Sequence, residues 1–427
     1  MRTRLPLLNG NNHNRTQKPA RGASVLRDMN SRTILQLLRL HHPCSCSDLA
    51  RYSGLSVPTV LSSITRMERM GLVKRIGKGS SSGGRPPHML RFNEAYGYVA
   101  GIDIAEGLLR VGIADLSGSL LGKAEAEIGD RSWPAPVVEQ MASLLTDLRE
   151  SLRIPAKRLL SVGVSAPGIT DVDSGVVVSV PSMPGWENVP LRRLLEEKLR
   201  VPVMIENDVN VAALGEHAHG IAQGERNFVF VHIGRGVGAG LFINGQLHHG
   251  PEWTAGEIGY LPLAGSTLQA VRKSQVGALE AALGTDGIER QWRDLTAAGD
   301  ATEPAGLRSV AILDRALQGD PLAQQIVDKS SEYLAMVCSY LSLILNCSLV
   351  VFGGELGMHP ALLQATSKRL EGHDFARPRL AITQLGITVE LTGALCLALQ
   401  AAEAVLPGDQ QHSATLHLGR SVEGALA

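Results

Sequence analysis

The sequence predicts the α/β class in two parts, a small head of three helices closed by a β-hairpin and a larger body in which strands alternate with helices. Three observations predict it. Charge divides the chain: residues 1–92 hold 16 Lys and Arg against 3 Asp and Glu, a net +13, while the remainder holds 25 against 38, a net −13. Before Gly71 the apolar spacing has a helical period, and a Gly/Ser-rich segment then separates two short β-rich runs. From Tyr96 onward β-rich runs recur, ending in glycine or polar groups, with long apolar helical stretches between them.

A length of 427 residues exceeds one ordinary domain, and 44% apolar content is enough for real cores. Residues 1–30 are basic and polar without a signal-like apolar segment, and no run approaches the roughly eighteen consecutive apolar residues of a membrane span. Five scattered cysteines make no disulfide framework, which fits a reducing compartment. A cytoplasmic location with no membrane partner is expected.

Residues 1–22 are expected to be a disordered basic arm, the head to occupy 23–92, and order to begin near Asp28. Ile34, Leu35, Leu37 and Leu38 describe a short amphipathic helix stopped at Pro43. Ser47 can cap a second short helix through Ala50 and Tyr52, followed by the turn "SGL". A third helix has Ser56 as its cap, Pro58 in its first turn and Gly71 as its stop. Val60, Ile64 and Met67 share its inner face, leaving Thr59, Ser62, Ser63 and Arg66 on the other. Strands at Leu72–Ile76 and His88–Phe92 flank a Gly/Ser tip.

Two helices joined by a tight turn and followed by a basic hairpin make a winged helix-turn-helix, whose second helix enters the major groove of double-stranded DNA. On that reading Thr59, Ser62 and Ser63 read bases, while Arg66, Lys74, Arg75 and Lys78 hold phosphate. Arg85, held extended by Pro86, either enters a narrow minor groove or neutralises phosphate. A generic three-helix protein-interaction module would explain neither the +13 charge nor the serine-rich face. "HHPCSC" offers His41, His42, Cys44 and Cys46 to a metal, but no second half-site follows, so no metal is expected there.

In the body the strand-like runs are "VAGIDI", "RVGIADL", "LLSVGVSAPG", "VPVMIENDVN", "NFVFVHIGRGVGAGLFING" and "CSLVVFGGELG". Helical stretches between them include Val137–Leu152 and Ala323–Leu345. Polar strand ends are where ligands sit in such sheets. The body is expected to span 93–406, with 407–427 a flexible tail.

The ordered set "GIDIAEGLLRVGIADLSG", "GVSAPGITDVDSGVVVSVPSMPGW", "ENDVNVAALGE", "GRGVGAGLFINGQLHHG", "AGEIGYLP", "GALE" and "VVFGGELG", behind such a head, resembles the ROK family (repressor, open reading frame, kinase). The resemblance covers Ser31 to Leu406. It implies a two-lobed, actin/hexokinase-like (ribonuclease H-like) body. The family's kinases hold ATP phosphate with an Asp followed by Gly-Gly-Thr. Asp103 matches, but the triplet here is Ala105, Glu106 and Gly107, and a carboxylate beside a polyanion costs about 1 kcal/mol at about 4 Å even in water. The loop "GRGVG" keeps Gly234, Gly236 and Gly238 but has Arg235 where the family often has Thr. The resemblance thus implies a phosphate grip that is dismantled, no catalysis and no cofactor.

The sugar-holding positions fare differently. The family's Asn-Asp pair matches Asn207 and Asp208, its AGEIGH glutamate Glu257, and its later glutamate Glu280. Carboxylates and amides suit paired vicinal hydroxyls, and Asp208 takes the place of the family's general base. A plainer reading makes Asn207 and Asp208 a strand-end cap. Tyr260 replaces the family's His, and Ser182 an Asn that commonly contacts sugar. The zinc-loop positions are Val271, Lys273 and Ala278, with Tyr260 for the fourth ligand, so no structural zinc is expected. Cys338, Cys347 and Cys396 are expected only to pack.

The resulting expectation is a sequence-specific DNA-binding regulator of carbohydrate metabolism, acting as a repressor. Its partners would be operator DNA, a sugar or sugar-derivative effector, and a second copy of itself in a homodimer or tetramer. A sugar kinase with an appended DNA-binding domain is the alternative, and a body serving only oligomerisation is a third.

Overall fold

The computed structural model describes residues 20–79, 86–105, 107–128, 133–183, 185–263, 272, 275–297, 306–375 and 377–406. The chain divides after Glu94 into two compact units.

In the first unit α1 (Ala20–His41) is followed by β1 (Cys44–Ser45), α2 (Cys46–Ser53), α3 (Val57–Met70), β2 (Val73–Lys78) and β3 (His88–Phe92). Helix α1 starts well before Asp28, which corrects the arm predicted over 1–22: Ala20, Ala23, Leu26 and Arg27 are good helix formers with no proline among them. Its Ser31, Ile34, Leu35 and Leu38 are buried at helical spacing. The α2 cap is Ser45, not Ser47. Ser45 Oγ accepts from Asp48 N at 3.2 Å while Asp48 Oδ2 accepts from Ser45 N at 3.0 Å, a reciprocal box that Ser47 has no partner to build. Ser56 caps α3, Gly71 ends it at φ 83°, and Val60, Ile64 and Met67 are buried. β3 pairs antiparallel with β2 (Val73 opposite Phe92) and also with β1 (Cys44 opposite Leu90), a third strand that two residues were too short to signal. In "HHPCSC", His41 stacks on Tyr52 with centroids 4.3 Å apart, and Cys44 is buried.

The second unit begins with β4 (Tyr98–Ala105), β5 (Leu108–Asp115), β6 (Leu120–Glu127), α4 (Pro134–Ser151), β7 (Leu159–Ala166), β8 (Ile169–Asp171), β9 (Val176–Ser179), β10 (Glu187–Val189), α5 (Leu191–Leu199) and β11 (Val203–Asn207). These give a five-stranded sheet in the order β11-β7-β4-β5-β6 and a small sheet β10-β9-β8. β4, β7 and β11 run parallel, so Asp103, Ala166 and Asn207 fall at one edge. The chain continues through α6 (Asp208–His219), β12 (Phe228–Ile233), β13 (Val237–Ile243), β14 (Gln246–Leu247), α7 (Ala278–Leu283), α8 (Thr285–Ala297), α9 (Ser309–Leu317), α10 (Pro321–Leu345), β15 (Leu349–Gly353), α11 (Pro360–Leu370), β16 (Arg379–Ile382) and α12 (Val389–Val405). The second five-stranded sheet has the order β14-β13-β12-β15-β16. Each large sheet has its own apolar core, one around Val111, Val164 and Trp186, the other around Val231, Trp292 and Val350.

Helix α12 joins the two lobes. Gly101, Gly112 and Gly163 on the first sheet let it approach: a Cβ on Gly163 would lie 2.1 Å from Ala394 O. On its other side a Cβ on Gly393 would lie 1.8 Å from Val211 O of α6. Residues 386–404 have mean hydropathy 1.3 and, by length and composition alone, are long and apolar enough for a membrane span. Glu390 and Glu403 break the run of consecutive apolar residues, so only an averaged window finds it. Its contacts with both lobes make it a core helix. Gly393→Ala should therefore destabilise the protein by about 3 kcal/mol or more, because a backbone clash outweighs alanine's better helix propensity of about 1 kcal/mol. Denaturant unfolding of the variant beside wild type checks this.

Candidate functional site

On the head, the structure sorts the predicted DNA contacts by what already holds them. Ser62 is exposed on the outer face of α3, with Arg69 about two turns further on the same face. Thr59 is half-buried, its hydroxyl 2.8 Å from Ser56 Oγ. Ser63 and Arg66 turn toward α1, which corrects their placement on the outer face: Ser31 Oγ lies 3.5 Å from Ser63 Oγ and accepts from Arg66 Nη2 at 3.1 Å. The longer α1 supplies that partner. Arg75 makes a two-pronged pair with Glu68, at 2.5 and 3.0 Å, whereas Lys74 and Lys78 are exposed on the wing. Arg85 lies outside the described residues.

In the body, Asn207 ends β11 and caps α6. Its Oδ1 accepts from Val209 N at 3.0 Å and Asn210 N at 3.1 Å. Its Nδ2 donates to Gly168 O and to Asp208 Oδ1, both at 2.9 Å. That uses both hydrogens and both lone pairs of the amide, so Asn207 positions its neighbour, as the strand-end-cap reading has it. Asp208 Oδ1 also accepts from Val209 N at 2.8 Å. Burial pushes the Asp208 carboxyl up to about 6, with His232 opposing and Glu390 reinforcing.

Glu257, Tyr260 and Glu280 form a second group. Burial, then the charges of Glu257 and Glu280, push the Tyr260 phenol up to about 12, so it stays neutral. Glu280 Oε2 accepts from Val237 N at 3.1 Å, and burial raises its carboxyl above the usual range. The two groups meet at the start of β13: Val237 is held by Glu280, and next to it Gly238 packs closely on Val209, where a Cβ would lie 3.1 Å from the valine side chain. Ser182 is exposed in the turn after β9. Gly168, which accepts from Asn207 Nδ2, packs close to Ser179 at the end of β9: a Cβ there would lie 2.2 Å from Ser179 O.

Several site residues escaped the sequence reading. Arg110 faces Asp103 across the β4–β5 hairpin, and its Nη1 donates to Asp103 Oδ2 at 3.0 Å. Asp103 is 1% exposed, and burial, with Glu390 nearby, pushes its carboxyl up to about 7 in spite of Arg110. Glu390 from α12 lies 3.6 Å from His232 Nδ1. Glu206, 4% exposed, accepts through Oε1 from Asn207 N at 2.9 Å and Asn210 Nδ2 at 3.1 Å, and pairs through Oε2 with His249 Nε2 at 2.7 Å.

On the side where the family's kinases hold phosphate, Asp103 is paired with Arg110, and Glu106, on which the expectation of a dismantled grip rests, lies outside the described residues. For zinc, a neutral phenol at Tyr260 and a methyl at Ala278 are not ligands; Val271 and Lys273 lie outside the described residues. Among the described residues no three His, Cys, Asp or Glu side chains are arranged to hold a metal.

The profile described as winged helix-turn-helix DNA-binding matches residues 27–74. The xylose repressor of Bacillus subtilis (strain 168) is 30% identical over 243 residues, 56% of this chain and 62% of that protein, so the chain matches less than two thirds of that relative's length. The DNA-binding transcriptional dual regulator NagC of Escherichia coli (strain K12) is 23% identical over 337 residues, 78% of this chain and 82% of that protein. The glucokinase of Halalkalibacterium halodurans is 27% identical over 292 residues, 66% of this chain and 88% of that one. Among solved structures, a ROK family transcriptional regulator, homologue of the E. coli MLC protein, superposes with TM-score 0.73 at 20% identity over 89% of this chain and 97% of its own. The ROK hexokinase of Thermus thermophilus superposes with TM-score 0.58 at 28% identity over 71% of this chain and 98% of its own. The ROK family profile matches residues 99–401, and the chain belongs to that family.

Proposed function

We propose that the protein is a cytoplasmic, sugar-responsive transcriptional repressor that binds operator DNA as a homodimer or tetramer and transfers no phosphoryl group. The observation that carries it is the head: a capped helix whose outer face bears Ser62 and Arg69, beside a wing bearing Lys74 and Lys78, ahead of a ROK body. Ser62 and Thr59 read bases; Lys74, Lys78 and Arg85 hold phosphate, Arg66 and Arg75 joining them only by leaving Ser31 and Glu68. The body binds a sugar through Asp208, Glu257 and Glu280, with Tyr260 and Ser182 at its margin.

The test is fluorescence anisotropy of the full chain with duplexes selected from genomic DNA, across a salt series. Lys74→Ala with Lys78→Ala should weaken every duplex alike and flatten the salt slope by about 2, while Ser62→Ala should change sequence preference. Unchanged binding in both variants would overturn the head assignment. Metal analysis of tag-free protein should find no stoichiometric zinc; a zinc lost on mutating the loop after Tyr260 would overturn that part.

A second reading, a sugar kinase with an appended DNA-binding domain, is favoured by Asp208, which is placed at a helix N-terminus with a carboxyl raised to about 6, as a general base requires. A coupled ATP-consumption assay with a sugar panel decides between them. Turnover that vanishes in Asp208→Ala would establish the kinase.

A further inference from the structure

His249 stands near the end of the "GRGVGAGLFINGQLHHG" run and was given no role there, yet it is tied to both halves of the acidic site. Its Nε2 lies 2.7 Å from Glu206 Oε2. The other oxygen of that carboxylate holds Asn207 N and Asn210 Nδ2, the backbone and side chain that open helix α6 just around Asp208. The His249 carbonyl accepts from Ala255 N at 3.1 Å, closing the loop 249–255 immediately ahead of Gly256 and Glu257. Gly256 in turn accepts from Ala239 N at 2.8 Å and sits at φ 92°, where a Cβ would fall 1.8 Å from Ala239 O. The loop carrying Glu257 is thus pinned at two points, one of them His249.

We propose that His249 is the positioning residue of this site, a clasp that couples the Asp208 helix terminus to the loop of Glu257 so that the two halves order or loosen together. This rests on the reading that the acidic groups form one effector site. The pair spans the lobes: Glu206 belongs to β11 of the first sheet, His249 to the segment after β14 of the second. Glu206 is too buried to be left without its partner cheaply, so opening the clasp exposes a desolvated carboxylate. The charged groups facing His249 are Glu206 and, from the turn between β8 and β9, Asp173; the hydrogen bond to Glu206 and both charges raise the imidazole above its ordinary value against the opposing effect of burial. The clasp therefore holds at low pH and weakens as pH rises through that raised value.

Hydrogen–deuterium exchange on the full-length protein tests this without any effector. In His249→Ala, amides at 207–210 and at 250–257 should both exchange faster, by roughly tenfold or more, the ratio expected when one charge-assisted hydrogen bond is lost. Glu206→Gln should give the same pattern, and the double variant no more than either alone. In wild type, protection of both segments, corrected for intrinsic rates, should fall together as pH rises, and His249→Ala should lack that dependence. Faster exchange confined to one segment, or additive effects, would overturn the clasp. Titration of D-xylose, D-glucose and N-acetylglucosamine against wild type separately tests the effector reading: no binding by any of them, with coupled exchange intact, removes the sugar but leaves the clasp standing.

Discussion

Arg110→Ala should cost about 3–5 kcal/mol of stability at pH 8, the loss expected when one partner of a buried ion pair is removed. The Asp103 side chain is 2% exposed and that of Arg110 14%, so solvent does little to screen the pair. Without the guanidinium, Asp103 is left buried near Glu390 with only the Ser165 hydrogen bond to favour its charged form. The sign of the pH dependence follows. Asp103 already keeps its proton up to about 7 when folded, against 3.8 for an unperturbed side chain, so its contribution is most favourable in acid and is lost as pH rises through about 7. Removing Arg110 raises the folded value further. The deficit of the variant should consequently shrink as pH falls below 7, and a chemical denaturation series from pH 5 to 8 would show the two curves converging in acid. A deficit independent of pH would mean that Arg110 acts through packing alone.

This pair also shows what a sequence can and cannot disclose. Val60, Ile64 and Met67 were legible because a helix repeats every 3.6 residues, and a single burying surface imposes that period. Ser45 was legible too, since Asp48 three residues on completes a box, yet the later serine of the same run attracted the assignment. Arg110 lay within reach: a hairpin that pairs Ala105 with Leu108 sets Arg110 directly opposite Asp103, on the same face. The motif around the turn drew attention to the loop and away from the strand. Glu206–His249 and His232–Glu390 are different in kind. Their partners stand 43 and 158 residues apart, on elements that meet only because α12 and two sheets pack as they do, and no local period carries that information. Asn207 illustrates the converse limit, a residue correctly located whose amide the fold had already committed to a cap.

Asp208→Ala should abolish the sugar response of operator binding while leaving operator affinity in the absence of sugar unchanged. The head forms a compact unit to which Asp208 does not belong, so the substitution removes none of the proposed DNA contacts. Asp208, in contrast, is held by Asn207 Nδ2 and Val209 N on one oxygen, which leaves the other oxygen of the carboxylate for a hydroxyl. A charge-assisted hydrogen bond from a sugar hydroxyl to this carboxylate is worth about 1.5–3 kcal/mol, so its removal lowers affinity about 10- to 150-fold. Shifting the DNA-competent fraction from 99:1 to 1:99 requires the effector to prefer the other state by about 5.5 kcal/mol, and a site without Asp208 gives up a large part of that preference. Asp208→Asn separates charge from shape. It keeps an oxygen acceptor but cannot titrate, so wild-type affinity for sugar should rise as pH climbs through about 6 and level off above, while the asparagine variant stays flat. Calorimetry against the sugar that passes the panel, run on all three proteins beside operator anisotropy, reads both quantities. Retained sugar response in Asp208→Ala would place the effector elsewhere in the body.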